Sequence, residues 1–318
     1  MRGGVNHQIT TIFNKSGIFE PGTSRHEAKQ DVKSELSNQG ISATSQNVAS
    51  KTGIYSYNAA QDYKDSWHNI GQYCRSELGI KDMSKIDSNH IQSYLEKRIQ
   101  DGISYSSWRK EASHANKFGE ALRRFDGQDR NFAQATNDLR SIAKDSLATS
   151  NKDHGGFNRP QDVISKLAEK NEKYELAARV QCESGARLRE ATLIKQDQLK
   201  GLQRDELTGK QVGVVHLTDT KGGKPRDVQV SPDTYKRLEN ATRNEAFKVN
   251  EGSYRNAVSE AAKATQEPRT GTHDFRYNYA QGRVNEIIQS GYSGEQAIQQ
   301  TSWEMGHERA DITNLYLR

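Results

Sequence analysis

Residues 305–316 read MGHERADITNLY, so that His307, preceded by Gly306, stands nine positions before Tyr316. On its own this spacing is typical of one hydrophobic contact and one surface imidazole, two to three helical turns apart. A functional interpretation of this stretch therefore requires other polar motifs upstream, with matching chemistry and in a fixed order.

Three such motifs stand upstream. They are the arginine motif at residues 185–190 (GARLRE), the lysine motif at 221–226 (KGGKPR) and the His-Arg motif at 273–276 (HDFR). Together with the Gly-His-Tyr motif at 305–316, they resemble in order and spacing the four sequence boxes of the tyrosine recombinase (phage integrase) family. The resemblance covers about residue 160 to the end, and more loosely a helical segment at 57–125 that is similar to the family's core-binding domain.

Composition sets limits on the class of protein. A chain of 318 residues is long enough for two domains with real cores. Its 46 basic and 41 acidic residues leave a net charge of +5, which suits a polyanionic partner without proving one. A hydrophobic share of 32% and an aromatic share of 8% indicate a polar, helical protein with large solvated surfaces.

The sequence has no membrane-spanning run, no signal peptide and no cysteine cluster. No apolar run approaches the roughly 20 residues that span a bilayer, and the N-terminus has no signal-peptide core. Cys74 and Cys182 fit neither a disulfide framework nor a metal cluster. We expect a cytoplasmic, nucleoid-associated protein with no membrane partner, no metal and no other cofactor.

Pattern along the chain predicts three segments. Residues 1–50, rich in Ser, Gln and Asn, predict a partly flexible N-terminal arm with little core. Residues 51–150 predict a helical domain, and a Gly-containing linker leads to a further domain at 157–318. The family resemblance implies that the first is a core-DNA-binding domain and the second a catalytic domain. The expected fold is mainly α, a helical domain plus a mixed α/β catalytic domain with a small antiparallel sheet, closing on DNA as a tyrosine recombinase-like clamp.

Two local sequence patterns predict a helix that could contact DNA and a small β-sheet. The helix predicted at 104–125 has one apolar and one cationic side, which is as typical of a solvated surface as of phosphate contact. The β-branched runs at 212–218 and 226–230 flank Gly222-Gly223 and predict a hairpin with a lysine at its tip, beside a short third strand at 199–202. The DNA-contacting residues that we predict are Arg109, Lys110, Lys117, Arg123, Arg124, Lys224 and Arg226.

The family resemblance implies roles for the motif residues at the scissile phosphate. Arg187 and Arg276 would clamp its two non-bridging oxygens, because guanidinium is a rigid fork of donors. Arg189 is the competing choice for the first arginine, but Arg187 has the family position relative to Glu190, which would orient it. His307 would be a further phosphate donor.

The remaining roles concern protons and the covalent bond. His273 would accept or relay the proton of Tyr316, the nucleophile, unless it is only a packed histidine at a helix start. Lys221 would protonate the 5'-oxygen leaving group. Lys224, the second lysine of the motif, would contact backbone phosphate or nothing.

The resemblance thus implies an enzyme, a site-specific recombinase or integrase of a mobile genetic element. It would act through a 3'-phosphotyrosyl intermediate and a Holliday junction, as a homotetramer on two double-stranded DNA sites. Two alternatives stay open: a type IB topoisomerase-like enzyme, and a non-catalytic DNA-binding regulator.

The sequence departs from the family pattern at two places. Tyr277 stands where many relatives have a second His, which leaves the proton network around His273 open. Only Leu317 and Arg318 follow Tyr316, where relatives continue into a helix that docks on a neighbouring protomer. Either the sequence is a piece of a longer chain or another element docks the protomers, and our hypothesis assigns that role to the N-terminal arm.

Overall fold

The computed structural model describes residues 1–149, 155–218, 220, 224–307 and 310–317. The chain divides into two compact units, Met1–Lys152 and Asp153–Arg318. Helices build the first unit, and helices with two small antiparallel sheets build the second. This architecture confirms the predicted fold class.

Serine, threonine or aspartate side chains cap most helices of the first unit, accepting hydrogen bonds from backbone N–H groups of the first turn. The helices are α1 (Val5–Lys15), α2 (Arg25–Asn38), α3 (Ser45–Lys51), α4 (Tyr57–Ser76), α5 (Ser88–Gln100), α6 (Tyr105–Asp126), α7 (Phe132–Asp138) and α8 (Arg140–Ser146).

The core of the first unit is built around aromatic side chains of α4 and α6. Trp67 is fully buried against Phe118, with ring centroids 5.0 Å apart. The buried indole N–H groups are satisfied: Trp67 donates to the carbonyl of His114 at 2.8 Å, and Trp108 to that of Leu95 at 3.2 Å. The indoles therefore fix α4, α5 and α6 to one another.

The N-terminal helix α1 belongs to this core, so the prediction of an arm with little core is wrong for this part of the chain. Val5, Ile9 and Ile12 recur at helical spacing and are buried in the core cluster of the unit. A Cβ on Gly71 of α4 would lie 2.7 Å from Val5 Cγ1, so α1 and α4 approach too closely for a larger residue there. The overall polarity of residues 1–50 conceals this apolar stripe.

The second unit alternates helices with short strands. Its helices are α9 (Pro160–Lys170), α10 (Glu172–Ser184), α11 (Leu188–Thr192), α12 (Pro232–Thr242), α13 (Glu251–Ala264), α14 (Asp274–Gln289), α15 (Gly294–Glu304) and α16 (Ala310–Thr313). Its strands are β1 (Leu193–Ile194), β2 (Leu199–Arg204), β3 (Gln211–Leu217), β4 (Arg226–Val230) and β5 (Phe247–Lys248).

The sheet confirms the predicted hairpin and third strand. Strand β3 pairs antiparallel with β4, with Val215 opposite Val228 and Leu217 opposite Arg226. Strand β2 pairs with the other edge of β3. The predicted tip of the hairpin, residues 221–223, lies outside the described residues. A second pair, β1 with β5, was not predicted.

A glycine allows the arginine motif to approach α14. Gly185 ends α10 in the left-handed conformation, φ +62°, and a Cβ there would lie 2.4 Å from the ring of Tyr279. The turn therefore seats Arg187, which precedes α11, beside the helix that begins after His273.

We expect Ile12→Ala to lower the free energy of unfolding by about 2–5 kcal/mol, because it opens a cavity where the side chain is fully buried. Urea denaturation followed by circular dichroism measures the change. The control is Asn14→Ala on the exposed side of α1, expected within about 0.5 kcal/mol of the parent. Equal stability of the two variants would mean that α1 does not contribute to the core.

Candidate active site

Tyr316 lies in a 3-10 turn, Asn314–Tyr316, near the end of the second unit, and its residue surface is 9% exposed. Its hydroxyl lies 3.0 Å from Nε2 of His273. Its ring packs against that of Tyr277, with centroids 4.5 Å apart, and against that of His307 at 5.4 Å. Two histidines and a second tyrosine thus fix the orientation of the phenol.

Arg276, in the first turn of α14, is fully buried beneath Tyr316, and one of its three nitrogens has no hydrogen-bond partner among the described residues. Nη1 donates to the carbonyl of Gly185, and Nη2 donates to that of Met305 at 3.1 Å. Nε is buried and has no hydrogen-bond partner among the described residues. An unsatisfied buried donor costs about 1–3 kcal/mol, so this guanidinium is suited to an acceptor that the protein itself does not supply.

Burial lowers the pKa of Arg276 to about 10, and the positive charge of Arg187 lowers it further in the same direction. The guanidinium still carries its charge at neutral pH. It is therefore a desolvated cation near a second cation, a combination that favours binding of an anion.

Arg187 is held by Glu190, as predicted. One carboxylate oxygen of Glu190 accepts the backbone N–H of Arg187 at 2.8 Å, and the other accepts its Nη1 at 3.1 Å. The same carboxylate forms a two-pronged pair with Arg226, at 3.1 Å from Nη1 and 2.6 Å from Nη2. Glu190 thus joins the arginine motif to strand β4.

The Glu190 carboxylate is stabilised in its charged form. Burial alone would raise its pKa, but the hydrogen bonds and charge of Arg226, together with those of Arg187, lower it to about 2. The pair is therefore ionised throughout the physiological range.

His307 is an uncharged acceptor in this structure. Burial lowers its pKa to about 4, and the charges of Arg276, Arg187 and Arg226 act in the same direction. Its Nε2 lies 3.4 Å from Nη2 of Arg276, which can only donate, and its Nδ1 lies 3.2 Å from Oγ1 of Thr313. The sequence predicted that His307 donates to phosphate, and it gave no indication of the contact between His307 and Thr313.

The lysine motif is described only in part. Lys221, the predicted general acid, lies outside the described residues. At the base of the hairpin, the hydroxyl of Thr220 donates to the carbonyl of Lys224. Arg226, predicted to contact DNA, is instead enclosed by Glu190 and Glu304, with 9% of its side chain exposed. Its contact with DNA stays a prediction, and in this structure a carboxylate 36 positions away in sequence accepts from its guanidinium.

The cationic side of α6 divides into exposed and buried residues. Arg109 and Lys110 are exposed, and Lys110 lies 3.2 Å from Asp62. Arg123 and Arg124 both pair with Glu120, each at 2.8 Å. These four stay candidates for DNA contact.

Lys117, also predicted to contact DNA, differs from these four residues because it is buried. Its residue surface is 7% exposed, and its ammonium donates to the carbonyls of Ala49 and Thr52 at 2.5 and 2.6 Å. Its contact with phosphate stays a prediction, and in this structure the end of α3 covers its ammonium. Burial lowers its pKa to about 8.

Solved structures of two integrases have the same fold. A lambda integrase dimer bound to a COC' core site matches with a TM-score of 0.54 and 14% identity over 92% of this chain and 77% of that chain. The Tn1549 transposon integrase in complex with transposon right end DNA matches with a TM-score of 0.54 and 13% identity over 92% of this chain and 94% of that chain. The chain therefore has the tyrosine recombinase fold, as the motifs predicted.

The amino-acid sequence alone identifies no relative of this chain. No protein-family model and no curated protein matches the chain. Within the described ranges, every helix is too short or too polar to cross a membrane.

We expect Glu190→Gln to destabilise the protein in a pH-dependent manner. The folded-state pKa lies below the ordinary value of 4.5, so the charged carboxylate adds stability above about pH 5 that is lost as the pH falls towards 2. The shift corresponds to roughly 3 kcal/mol above pH 5. Urea unfolding at pH 7, 5, 4 and 3 measures the difference from the parent, which should shrink on acidification.

The control for this measurement is Glu206→Gln, which neutralises an exposed carboxylate of the same unit. Its effect should stay within about 0.5 kcal/mol at every pH. A pH-independent loss in Glu190→Gln would contradict the ion-pair account.

Proposed function

We propose that this protein is a site-specific tyrosine recombinase of a mobile genetic element, which cleaves and rejoins DNA through a 3'-phosphotyrosyl intermediate. The observation that carries the proposal is the gathering of three separated motifs at one phenol, two through their side chains and the third through a backbone carbonyl. His273 and Arg276 come from one motif, His307 and Tyr316 from another, and the carbonyl of Gly185 brings in the arginine motif. Packing of the core around Tyr316 would not by itself require so many hydrogen-bonding side chains, so their presence favours a catalytic role.

Double-stranded DNA is the partner that fits this arrangement. The lambda and Tn1549 integrases of the same fold are bound to DNA in their solved structures. In this chain, the unsatisfied Nε of Arg276 and the guanidinium of Arg187 supply donors for the two non-bridging oxygens of a phosphodiester. Charge that develops on those oxygens in the transition state would meet fixed cations.

The covalent step begins at Tyr316. Its oxygen attacks phosphorus, its proton passes to Nε2 of His273 at 3.0 Å, and the bond from phosphorus to the 5'-oxygen breaks. Lys221 protonates that oxygen, a role that rests on the lysine motif alone. The reverse sequence, with a 5'-hydroxyl of a partner strand, rejoins the DNA without a nucleotide cofactor.

His307 changes its hydrogen-bonding role when the phosphate binds. Without it, Nε2 accepts from Arg276, and the neighbouring cations disfavour a second proton. An anion in the site offsets those cations and raises the proton affinity of the imidazole. Nε2 can then donate to a non-bridging oxygen, which is the role expected from the sequence.

Exchange between two duplexes needs an assembly of protomers. By the family resemblance, four protomers act on two sites through a Holliday junction. Because α1 is core, the hypothesis that the N-terminal segment ties protomers or grips DNA now concerns α2 and α3, where most side chains are exposed.

Tyr316→Phe should abolish covalent adducts on a nicked suicide DNA substrate while it leaves DNA affinity within about twofold, because it removes one oxygen and none of the phosphate donors. Denaturing gel electrophoresis detects the adduct, and a mobility shift measures the affinity. Tyr277→Phe is the matched control, since it removes the hydroxyl from the ring packed on Tyr316, and adducts should still form. Adducts in the first variant but not in the control would move the nucleophile to Tyr277.

A sulfur in place of the 5'-bridging oxygen tests the general acid. The thiolate leaves without protonation, so this substrate should restore cleavage by Lys221→Ala much more than by Arg187→Ala. Single-turnover rates on the oxygen and sulfur substrates give the two ratios. Equal failure of both variants on the sulfur substrate rules out the assignment of Lys221.

A further inference from the structure

Arg226 makes three hydrogen bonds to two parts of the site that are distant from it in sequence. Its two terminal nitrogens hold both carboxylate oxygens of Glu190, at 3.1 and 2.6 Å. Its Nε donates to the carbonyl of Glu304, the last residue of α15, at 3.0 Å. One guanidinium from β4 therefore bonds to the residue that orients Arg187 and to the segment that leads to His307.

Gly306 fits against the same guanidinium. It has a φ of +72°, in the region that favours glycine, and a Cβ there would lie 3.3 Å from both Cδ and Nη1 of Arg226. The preceding carbonyl, of Met305, accepts from Arg276. The backbone from Glu304 to Gly306 is thus held between two arginines immediately before His307.

We propose that Arg226 is a positioning residue for strand cleavage, which holds Arg187 through Glu190 and holds His307 through Glu304 and Gly306. The inference rests on the proposed recombinase function and replaces the expected role of Arg226 in DNA contact. Because β4 is the returning strand of the predicted hairpin, Arg226 also ties the base of that hairpin to the arginine motif and to the segment that leads into the Gly-His-Tyr motif.

Only arginine can make these contacts together. The guanidinium is planar and directs donors along separate axes, two towards the carboxylate and one towards the carbonyl. A lysine ammonium is a single centre, so it can retain the charge beside Glu190 but cannot also hold Glu304 in the same geometry.

The test compares Arg226→Met and Arg226→Lys by single-turnover adduct formation at saturating DNA. A displacement of about 1 Å in the phosphate donors costs about 100-fold in rate, which we expect for the methionine variant, with the lysine variant in between. DNA affinity should stay within about threefold in both. In a double-mutant cycle, Glu190→Gln should add little to Arg226→Met, because both variants break the same link.

The control is Arg204→Met, an exposed arginine of the same sheet whose Nε also donates to a backbone carbonyl, of Gly209 at 2.9 Å. It should keep the parent rate. A parent-like rate in Arg226→Met overturns the proposal. Weakened DNA binding and a reduced salt dependence, with an unchanged rate at saturation, would restore the role in DNA contact.

A second readout does not depend on recombinase activity. His307 is in the field of Arg226, so removal of that charge should raise the titration midpoint of the His307 imidazole in NMR spectra of Arg226→Met, but not of Arg226→Lys. An unmoved midpoint contradicts the positioning of His307. Absence of adducts from the unmodified protein on every DNA tested would instead defeat the proposed function, and the NMR result would still decide the role of Arg226.

Discussion

The ion pair between Glu190 and two arginines is the contact on which the rest of the site depends. Its carboxylate accepts four hydrogen bonds, two from Arg187 and two from Arg226, so neither oxygen is left unsatisfied in a buried environment. A buried charge without such partners would cost several kcal/mol. The start of α11, the first residue of β4 and the end of α15 can therefore occupy only a narrow range of positions relative to one another.

A second ion cluster meets the first at Glu304, the last residue of α15. Arg283 of α14 pairs with Glu304 at 2.9 Å and with Asp205 at 2.8 Å, and the hydroxyl of Tyr279 donates to Glu304 at 2.6 Å. The side chain of Glu304 thus belongs to this cluster, while its carbonyl belongs to Arg226. Because the chain turns into Gly306 and His307 two residues later, the position of the histidine depends on both clusters.

The sequence predicted features that depend on neighbouring residues. It did not predict the burial of side chains by residues that are distant in sequence. The four motifs and the β3–β4 hairpin were accessible because spacing, alternation and turn glycines are short-range signals. The burial of Lys117 was not accessible, since helical periodicity places it on the polar side of α6 and only the end of α3 covers it. The pairing of Arg226 with Glu190 was not accessible for the same reason. The helical spacing of the apolar side chains in α1 can be read from the sequence. The prediction for residues 1–50 nevertheless followed their polar composition, so these side chains were not assigned to the core.

The electrostatics of the candidate site are unfavourable in a way that an anion would relieve. Three guanidiniums, of Arg187, Arg226 and Arg276, lie close enough to influence one another and His307, and Glu190 is the carboxylate that they share. The buried Nε of Arg276 adds an unmade hydrogen bond. The packing of the second unit must offset both costs. Under the proposed function, a bound phosphodiester would relieve both costs at once, because it would supply negative charge and acceptor oxygens where they are lacking. A neutral ligand could supply only the acceptor.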